Sequence, residues 1–289
     1  MSLFDRLVDE ALANLADLAV LRPVVENELL HHDILREMSG AGLLAGLTFM
    51  GGTCLRACYG SPRLSEDLDF TGGSTFTRDT LADLGRILTE RLQTRYGLQV
   101  SVGEPRREEG NVSTWKFSVV TRPERKDAPA QRIHLDICAL PSHQAHPMML
   151  RNVYGVDIGT SGLILQAQSR EEIFADKIIA LAFRENRIKN RDLWDLAWLK
   201  QQGVDLVPAL IPQKLQDRQR TPAEFSARLS ERLQALLAQA VLRQDFIKEM
   251  QRFLPAAVVR QTIEQPDYWN YLTRLVGEEC ERAMAAARK

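Results

Sequence analysis

The sequence has few of the features that mark secreted, membrane or zinc-binding proteins. It contains four cysteines (Cys54, Cys58, Cys138 and Cys280), and they form no paired C-x-x-C set. This spacing does not match the usual zinc sites, and it favours ordinary thiols in a reducing compartment. No apolar run approaches the length of a membrane span, and acids within the first ten residues argue against a signal peptide. The sequence therefore predicts a cytoplasmic protein that does not enter a membrane.

An excess of charge of one sign is also absent. The 37 Lys and Arg residues are offset by 38 Asp and Glu residues, which leaves a formal net charge of -1. Such a balance gives no overall electrostatic attraction to nucleic acid, so any nucleic-acid binding must come from local patches. No P-loop, G-x-S-x-G or H-E-x-x-H pattern occurs in the sequence. Nucleotide chemistry, if present, must use another motif.

The pattern of apolar residues divides the 289-residue chain into a mixed half and a helical half. Helical spacing covers residues 3–39, and a short apolar run at 44–50 leads into Gly51-Gly52, with Thr53 expected to cap the next helix. Alternating residues predict strands at 98–104, 112–122 and 132–140. From Ser169 onwards helical signals dominate. We therefore predict an α+β fold with a mixed sheet over residues 1–165 and a helical domain over residues 166–289.

The segment EDLDF places two acids one residue apart at the start of a predicted strand. Side chains alternate between the faces of a strand, so Leu68 and Phe70 would enter the core while Asp67 and Asp69 share the opposite face. Two neighbouring carboxylates repel one another, and a cation between them relieves this repulsion. The alternative is that both acids lie on the solvent-exposed face of an edge strand. For a D-x-D motif with no other supporting feature, this is the more common case.

Two further features favour a metal site over that alternative. A Gly51-Gly52-Thr53 turn precedes the acids, and Asp136 lies between two apolar residues on a later predicted strand. Carboxylates that hold Mg²⁺ or Mn²⁺ and a turn that cradles phosphates are the parts that two-metal phosphoryl or nucleotidyl transfer needs. Thr53 and Ser65 could add hydroxyl contacts to phosphate. For Asp136 two roles remain open, namely a metal ligand and a residue on the solvent-exposed face of a strand.

Two motifs resemble a known family. GGT at 51–53 followed by RLSEDLDF at 63–70 resembles the polymerase-β-like nucleotidyltransferases, and within them the AbiEii/MenT toxins of type IV toxin–antitoxin systems. The segment EEIFADKIIALAFRENRIKNRDLWDLAWL at 171–199 resembles those toxins in particular. The resemblance implies a polymerase-β-like core, an NTP substrate, Mg²⁺ or Mn²⁺ and a protein antitoxin as partner.

The resemblance also implies roles for single residues. Asp67 and Asp69 would hold metal, Asp136 would be a looser third acid, and Lys177 and Asp192 match the family's catalytic lysine and distal aspartate. The expected nucleotide contacts are Gly51, Gly52, Thr53, Ser65 and Lys177. If their helices line one cleft with the acidic strand, Lys177 and Asp192 should converge on Asp67. Without the family, Lys177 could be a surface charge, Asp192 could stabilise a helix start, and Asp195 would be its exposed neighbour.

Two basic clusters could guide an RNA acceptor. The first comprises Arg184, Arg187, Lys189 and Arg191, and the second comprises Arg122, Arg125, Lys126 and Arg132. Either cluster alone would be interpreted as ordinary surface charge. Two clusters near a metal site suggest a path along which RNA phosphates bind. The family resemblance implies a growth-inhibiting toxin that transfers nucleotides to an RNA, with the tRNA 3′ end as the expected acceptor. The alternatives are a small-molecule nucleotidyltransferase of the aminoglycoside-modifying kind and a catalytically inactive binding module.

Overall fold

The structure is a computed structural model that describes residues 2–105, 111–125, 129–185, 187–238 and 240–288. The chain divides into two compact units, Met1–Gln168 and Ser169–Lys289. The first unit combines helices with a sheet, and the second is helical. None of the helices in the described ranges combines the length and the apolar composition that crossing a bilayer requires.

The first unit carries every strand of the described residues. Short 3₁₀ turns at Ala16–Leu21 and Arg78–Leu81 connect its longer elements. In chain order, those elements are α1 (Leu3–Asn14), α2 (Arg22–Gly40), β1 (Thr48–Met50), α3 (Gly51–Ala57), β2 (Leu68–Thr71), α4 (Leu84–Tyr96), β3 (Gln99–Gly103), β4 (Val112–Val120), β5 (Gln131–Cys138), β6 (Ala145–Met149) and β7 (Ile164–Gln168).

These strands form one mixed sheet in the order β3-β4-β5-β2-β1-β7-β6. The pairs β2–β5 and β1–β7 are parallel, and the other neighbours are antiparallel. Ile133, Leu135 and Ile137 of β5 are fully buried, which confirms the predicted alternation of that strand. The sequence interpretation did not identify β6. This strand contains Pro147 and has no fully buried residue, so its pattern gives little signal.

Helix α2 buries both apolar and polar side chains. It packs against α1, α4 and β5. Leu29, Leu30 and Ile34 belong to the core of the unit. The polar side chains of the same helix are also shielded from solvent, and the buried ones include Glu26, Glu28, His31, His32 and Asp33. Buried polar groups need partners, so α2 contributes hydrogen bonds as well as packing.

The second unit contains α5 (Arg170–Phe183), α6 (Asn190–Gln201), α7 (Leu210–Asp217), α8 (Pro222–Ala238), α9 (Ala240–Met250), α10 (Ala256–Gln261) and α11 (Tyr268–Ala287). The predicted start of α5 is confirmed, because Ser169 Oγ accepts a hydrogen bond from Glu172 N at 3.0 Å. The helix ends at Phe183. The α+β prediction, with a mixed sheet followed by helices, is confirmed.

Candidate active site

The turn between β1 and α3 uses two glycines for different reasons. Gly51 has a φ of +75°, a region that residues with a side chain rarely adopt, and a Cβ there would lie 2.5 Å from Asp69 Oδ2. At Gly52 a Cβ would come within 2.1 Å of Arg63 Nη2. Arg63 is buried, so its guanidinium group packs directly over the glycine. The two positions bring the start of α3 against Asp69 and Arg63, and the sequence interpretation had given Arg63 no role.

The hydroxyl groups predicted to contact phosphate bind each other in this structure. Thr53 Oγ1 donates its proton to the carbonyl oxygen of Asp67 and lies 2.7 Å from Ser65 Oγ, from which it accepts. Both side chains are buried. The prediction that Thr53 caps the helix is wrong, because α3 begins at Gly51 and has no side-chain cap. Thr53 lies inside the helix, where it ties α3 to the segment that carries the acids.

The register of the sheet brings two of the aspartates side by side. Asp69 of β2 pairs with Asp136 of β5 in the parallel ladder, so their side chains leave the same face of neighbouring strands, which are about 4.8 Å apart in sheets. Asp67 lies just before β2, and its Oδ1 is 3.4 Å from the amide N of His134. Asp136 Oδ1 accepts a hydrogen bond from Thr114 Oγ1 at 2.6 Å. Each aspartate is partly exposed, so all three carboxylates can reach solvent.

The donor chemistry of this face fits a hard divalent cation. Oxygen ligands from carboxylates are the type that Mg²⁺ and Mn²⁺ prefer, and adjacent strands supply them here. Within the described ranges, no group of three His, Cys, Asp or Glu side chains is gathered as a finished coordination sphere. Gly51 leaves space beside Asp69 Oδ2 that any larger residue would fill. The residues therefore fit the cation, with Asp67, Asp69 and Asp136 as its candidate ligands.

The second unit contains a buried ion cluster built on α5 and α6. Lys177 Nζ lies 2.7 Å from Asp192 Oδ1 and 2.7 Å from Asp195 Oδ2. Arg184 Nη1 is 2.9 Å from Asp192 Oδ2. Asp195 is 0% exposed, so the prediction of an exposed neighbour is wrong. The signal was present, since residues three apart on a helix share a face and Asp195 follows Asp192 by three.

Charge within this cluster keeps Asp192 ionised. Burial by itself raises the pKa of Asp192, but the nearby Lys177, Arg184 and Lys189 outweigh it and lower that pKa to about 2. The pKa of Lys189 is lowered as well, because burial and the cations Arg191, Lys177 and Arg184 together outweigh the attraction of Asp192. The arrangement therefore places three cations near the ionised carboxylate of Asp192.

The residues of the predicted basic clusters differ in their surroundings. Arg187 is exposed and Lys189 is half-buried, whereas Arg184 pairs with Asp192. Arg191 Nε is 3.4 Å from Glu249 Oε1, and its guanidinium group lies 4.8 Å from the ring centre of Phe253. Of the second cluster, Arg125 and Arg132 are exposed, Arg122 pairs with Glu26 at 3.5 Å, and Lys126 lies outside the described residues.

No curated protein sequence matches this chain, whereas several solved structures are similar to it. Among solved structures, it is similar to MenT4, a nucleotidyltransferase toxin from Mycobacterium tuberculosis H37Rv, with a TM-score of 0.58, 17% sequence identity and coverage of 99% of this chain and 94% of that chain. Two Helicobacter pylori structures are also similar, namely JHP933 (TM-score 0.49, 16% identity, 92% and 95% coverage) and a putative nucleotidyltransferase (0.47, 17%, 89% and 96%). At 17% identity, the likeness to MenT4 shows the fold alone.

The family model described as "Nucleotidyl transferase AbiEii toxin, Type IV TA system" matches residues 33–274. This range includes the glycine turn, the three aspartates and the ion cluster of α5 and α6. It covers most of the 289 residues. The chain therefore belongs to the AbiEii nucleotidyltransferase toxin family of type IV toxin–antitoxin systems.

Proposed function

We propose that this protein transfers nucleotides from an NTP to an RNA acceptor, the 3′ end of tRNA, and that it inhibits growth by doing so. The observation that supports this proposal most is the register of β2 and β5, which sets Asp69 beside Asp136 on the face reached by the Gly51 turn. Crowded carboxylates at a glycine turn suit chemistry on a polyphosphate. The acceptor is cytoplasmic, so we place the action of the protein there.

Asp67, Asp69 and Asp136 would hold Mg²⁺ or Mn²⁺ in this proposal. When bound, the cation neutralises phosphate charge and orients the groups that react. The chain itself contributes the shape of the site. Gly51 allows α3 to approach Asp69, and backbone N–H groups at the start of α3 are suited to phosphate oxygens. Ser65 Oγ, which lies 2.7 Å from Thr53 Oγ1, would add a hydroxyl contact to phosphate.

Lys177 would neutralise the triphosphate. Its Nζ lies 2.7 Å from both Asp192 Oδ1 and Asp195 Oδ2, so the ammonium group is held in one direction on the helix. Asp192 would fix the direction of that lysine and orient the acceptor hydroxyl. With a pKa of about 2, its carboxylate is a poor proton acceptor near pH 7, so we assign it orientation instead of deprotonation.

The exposed cations Arg125, Arg132 and Arg187 would contact RNA phosphates, together with the half-buried Lys189. Arg184 and Arg191 would contribute mainly to the positive electrostatic potential and less to direct contacts, because each already lies beside a carboxylate. Phosphate contacts make binding depend on salt, since each one releases counterions. The protein antitoxin expected for this family would be the partner that limits the activity.

The test is an incorporation assay with labelled NTPs, Mg²⁺ and purified tRNA. We expect label on tRNA with the wild type, and loss of labelling when the tRNA 3′ end is blocked by periodate oxidation. Asp69→Ala serves as the inactive control, because Asp69 is partly exposed and its loss should leave the fold intact. Labelling that survives the block would overturn the proposed 3′-end acceptor. Label found only on a small molecule would favour the aminoglycoside-type transferase, and no transfer to any acceptor would favour the binding module.

A further inference from the structure

The segment that leads into the acidic strand is held by side chains from other elements. Ser65, Glu66 and Asp67 come directly before β2, which begins at Leu68. Glu28 Oε1 accepts a hydrogen bond from Ser65 N at 2.9 Å, and His31 Nε2 lies 3.0 Å from the carbonyl oxygen of Glu66. Three consecutive residues are thus fixed from outside, since the Asp67 carbonyl oxygen accepts from Thr53.

His31 is committed to this one contact. The residue is 2% exposed, and its Nδ1 has no hydrogen-bond partner among the described residues. A carbonyl oxygen can only accept, so the neutral imidazole must carry its proton on Nε2 to bond Glu66. Burial, the largest effect, lowers the pKa of His31 despite opposing contributions from Glu28, Glu66 and Asp67, which favours the neutral ring. The ring therefore donates one directed hydrogen bond to the backbone carbonyl of Glu66, the residue immediately before Asp67.

Glu28 connects the same segment to the glycine turn. Its carboxylate accepts from Ser65 N through one oxygen and lies 3.1 Å from Arg56 Nε through the other. Arg56 belongs to α3, the helix that starts at Gly51. The Tyr154 hydroxyl also donates to Glu28. One buried carboxylate of α2 thus ties the acidic segment to the helix that would face the phosphates.

We propose that Glu28 and His31 are positioning residues, which set the backbone of Ser65–Glu66 and through it the direction of the Asp67 and Asp69 carboxylates. This inference rests on the proposed nucleotidyl transfer for its effect on rate. The two residues lie one turn apart on α2, which has 19 residues and is anchored in the core, so they present a rigid frame. Small displacements of groups that orient a reacting phosphate are costly, and a shift of about 1 Å can reduce a rate by about 100-fold.

The chain offers a matched control one residue away. His32 is 4% exposed, lies on the same helix and makes one hydrogen bond of similar length, 3.2 Å from Nδ1 to Thr160 Oγ1. Thr160 lies outside the acidic segment. Replacing either histidine by phenylalanine removes a buried imidazole and its hydrogen bond at similar bulk. His31→Phe and His32→Phe should therefore lower the melting temperature alike, while only the first disturbs the aspartates.

The experiment measures binding of Mn²⁺ tripolyphosphate, which is independent of base and acceptor, alongside amide exchange of the peptide 62–70 and nucleotide transfer. We expect His31→Phe to weaken Mn²⁺ tripolyphosphate binding by about tenfold or more, to speed exchange at Ser65, and to lower kcat for transfer. His31→Gln, whose amide can donate to Glu66, should restore most of each. His32→Phe should leave all three readouts near wild type.

Equal effects of His31→Phe and His32→Phe would overturn the proposal, because they would show a purely structural contribution. Failure of His31→Gln to restore binding would also overturn it. If His31→Phe does not fold, His31→Asn supplies the same comparison, since its shorter amide cannot reach Glu66. If the wild type binds Mn²⁺ tripolyphosphate and transfers no nucleotide to tRNA, the proposed acceptor fails, and the binding and exchange comparison still decides the role of His31.

Discussion

Replacement of Asp192 by asparagine should make the stability of the second unit less dependent on pH. Asp192 is buried, bonded to Lys177 at 2.7 Å and 2.9 Å from Arg184. Burial opposes its ionisation, but the cations outweigh burial and bring the pKa from 3.8 to about 2. Asparagine keeps the shape and loses the charge. The perturbation thus isolates what ionised Asp192 contributes.

The magnitude and the sign follow from the pKa. A fall from 3.8 to about 2 corresponds to about 2 kcal/mol of stability that is fully present at pH 7. The unfolded chain takes up the proton more readily, so this stability is lost as the pH falls from above 3.8 through about 2. Roughly half should remain at pH 3. The free-energy difference of unfolding between wild type and Asp192→Asn should therefore shrink by about 1 kcal/mol from pH 7 to pH 3.

Urea unfolding at pH 7, 5 and 3, followed by tryptophan fluorescence, can measure this difference. Trp194, Trp198 and Trp269 all belong to the second unit, so the signal reports mainly on that unit. Asp205→Asn is the control, because Asp205 is an exposed partner of Lys200 and should contribute little at any pH. A difference for Asp192→Asn that stays constant across this range, or one matched by Asp205→Asn, would refute the reasoning.

The other expectations concern activity. Gly51→Ala and Gly46→Ala both place alanine at a positive φ, +75° and +78° respectively, but only Gly51 faces Asp69. The two variants should have similar melting temperatures. Nucleotide transfer should be lost in Gly51→Ala and kept in Gly46→Ala. Lys177→Met should lower transfer more than Lys177→Arg, because charge near the phosphates matters before geometry, and equal losses would contradict this order. Binding of tRNA should weaken steeply from low to moderate salt, and charge reversal at the exposed Arg187 should flatten that dependence; an unchanged slope would remove Arg187 from the RNA path.

Local patterns in the sequence were sufficient for the acidic motif. Alternation on β5 places Asp136 opposite a buried face, and the glycine pair marks a turn before Asp69, so both could be recognised without knowledge of the fold. What the pattern could not give is the parallel pairing of β2 with β5. That pairing joins residues 67 positions apart through packing of the whole sheet.

Contacts between distant parts of the chain explain what the sequence interpretation missed. His31 meets Glu66 at a separation of 35 residues, and His32 meets Thr160 at a separation of 128 residues, so no local spacing indicates a role for either. Asp195 is a closer case. Its position on α6 was predictable, whereas its burial depends on Lys177 of α5, and a charged residue in a helix is usually exposed.

The proposed function requires that Asp69 in the first unit and Lys177 in the second serve one reaction, and double variants can test this directly. Residues that act as a unit in catalysis lose far less together than the product of their separate losses. The double variant Asp69→Ala/Lys177→Met should therefore transfer nucleotide no more slowly than the poorer single variant, within a few-fold.

A second pair serves as the control. Arg187→Glu should weaken RNA binding by an independent contribution, so its loss of rate should multiply with that of a mild variant such as Lys177→Arg. Each rate is measured at saturating NTP and at several tRNA concentrations. If the losses from Asp69→Ala and Lys177→Met multiply as fully as those of the second pair, the two residues act independently, and the shared role proposed for them is wrong.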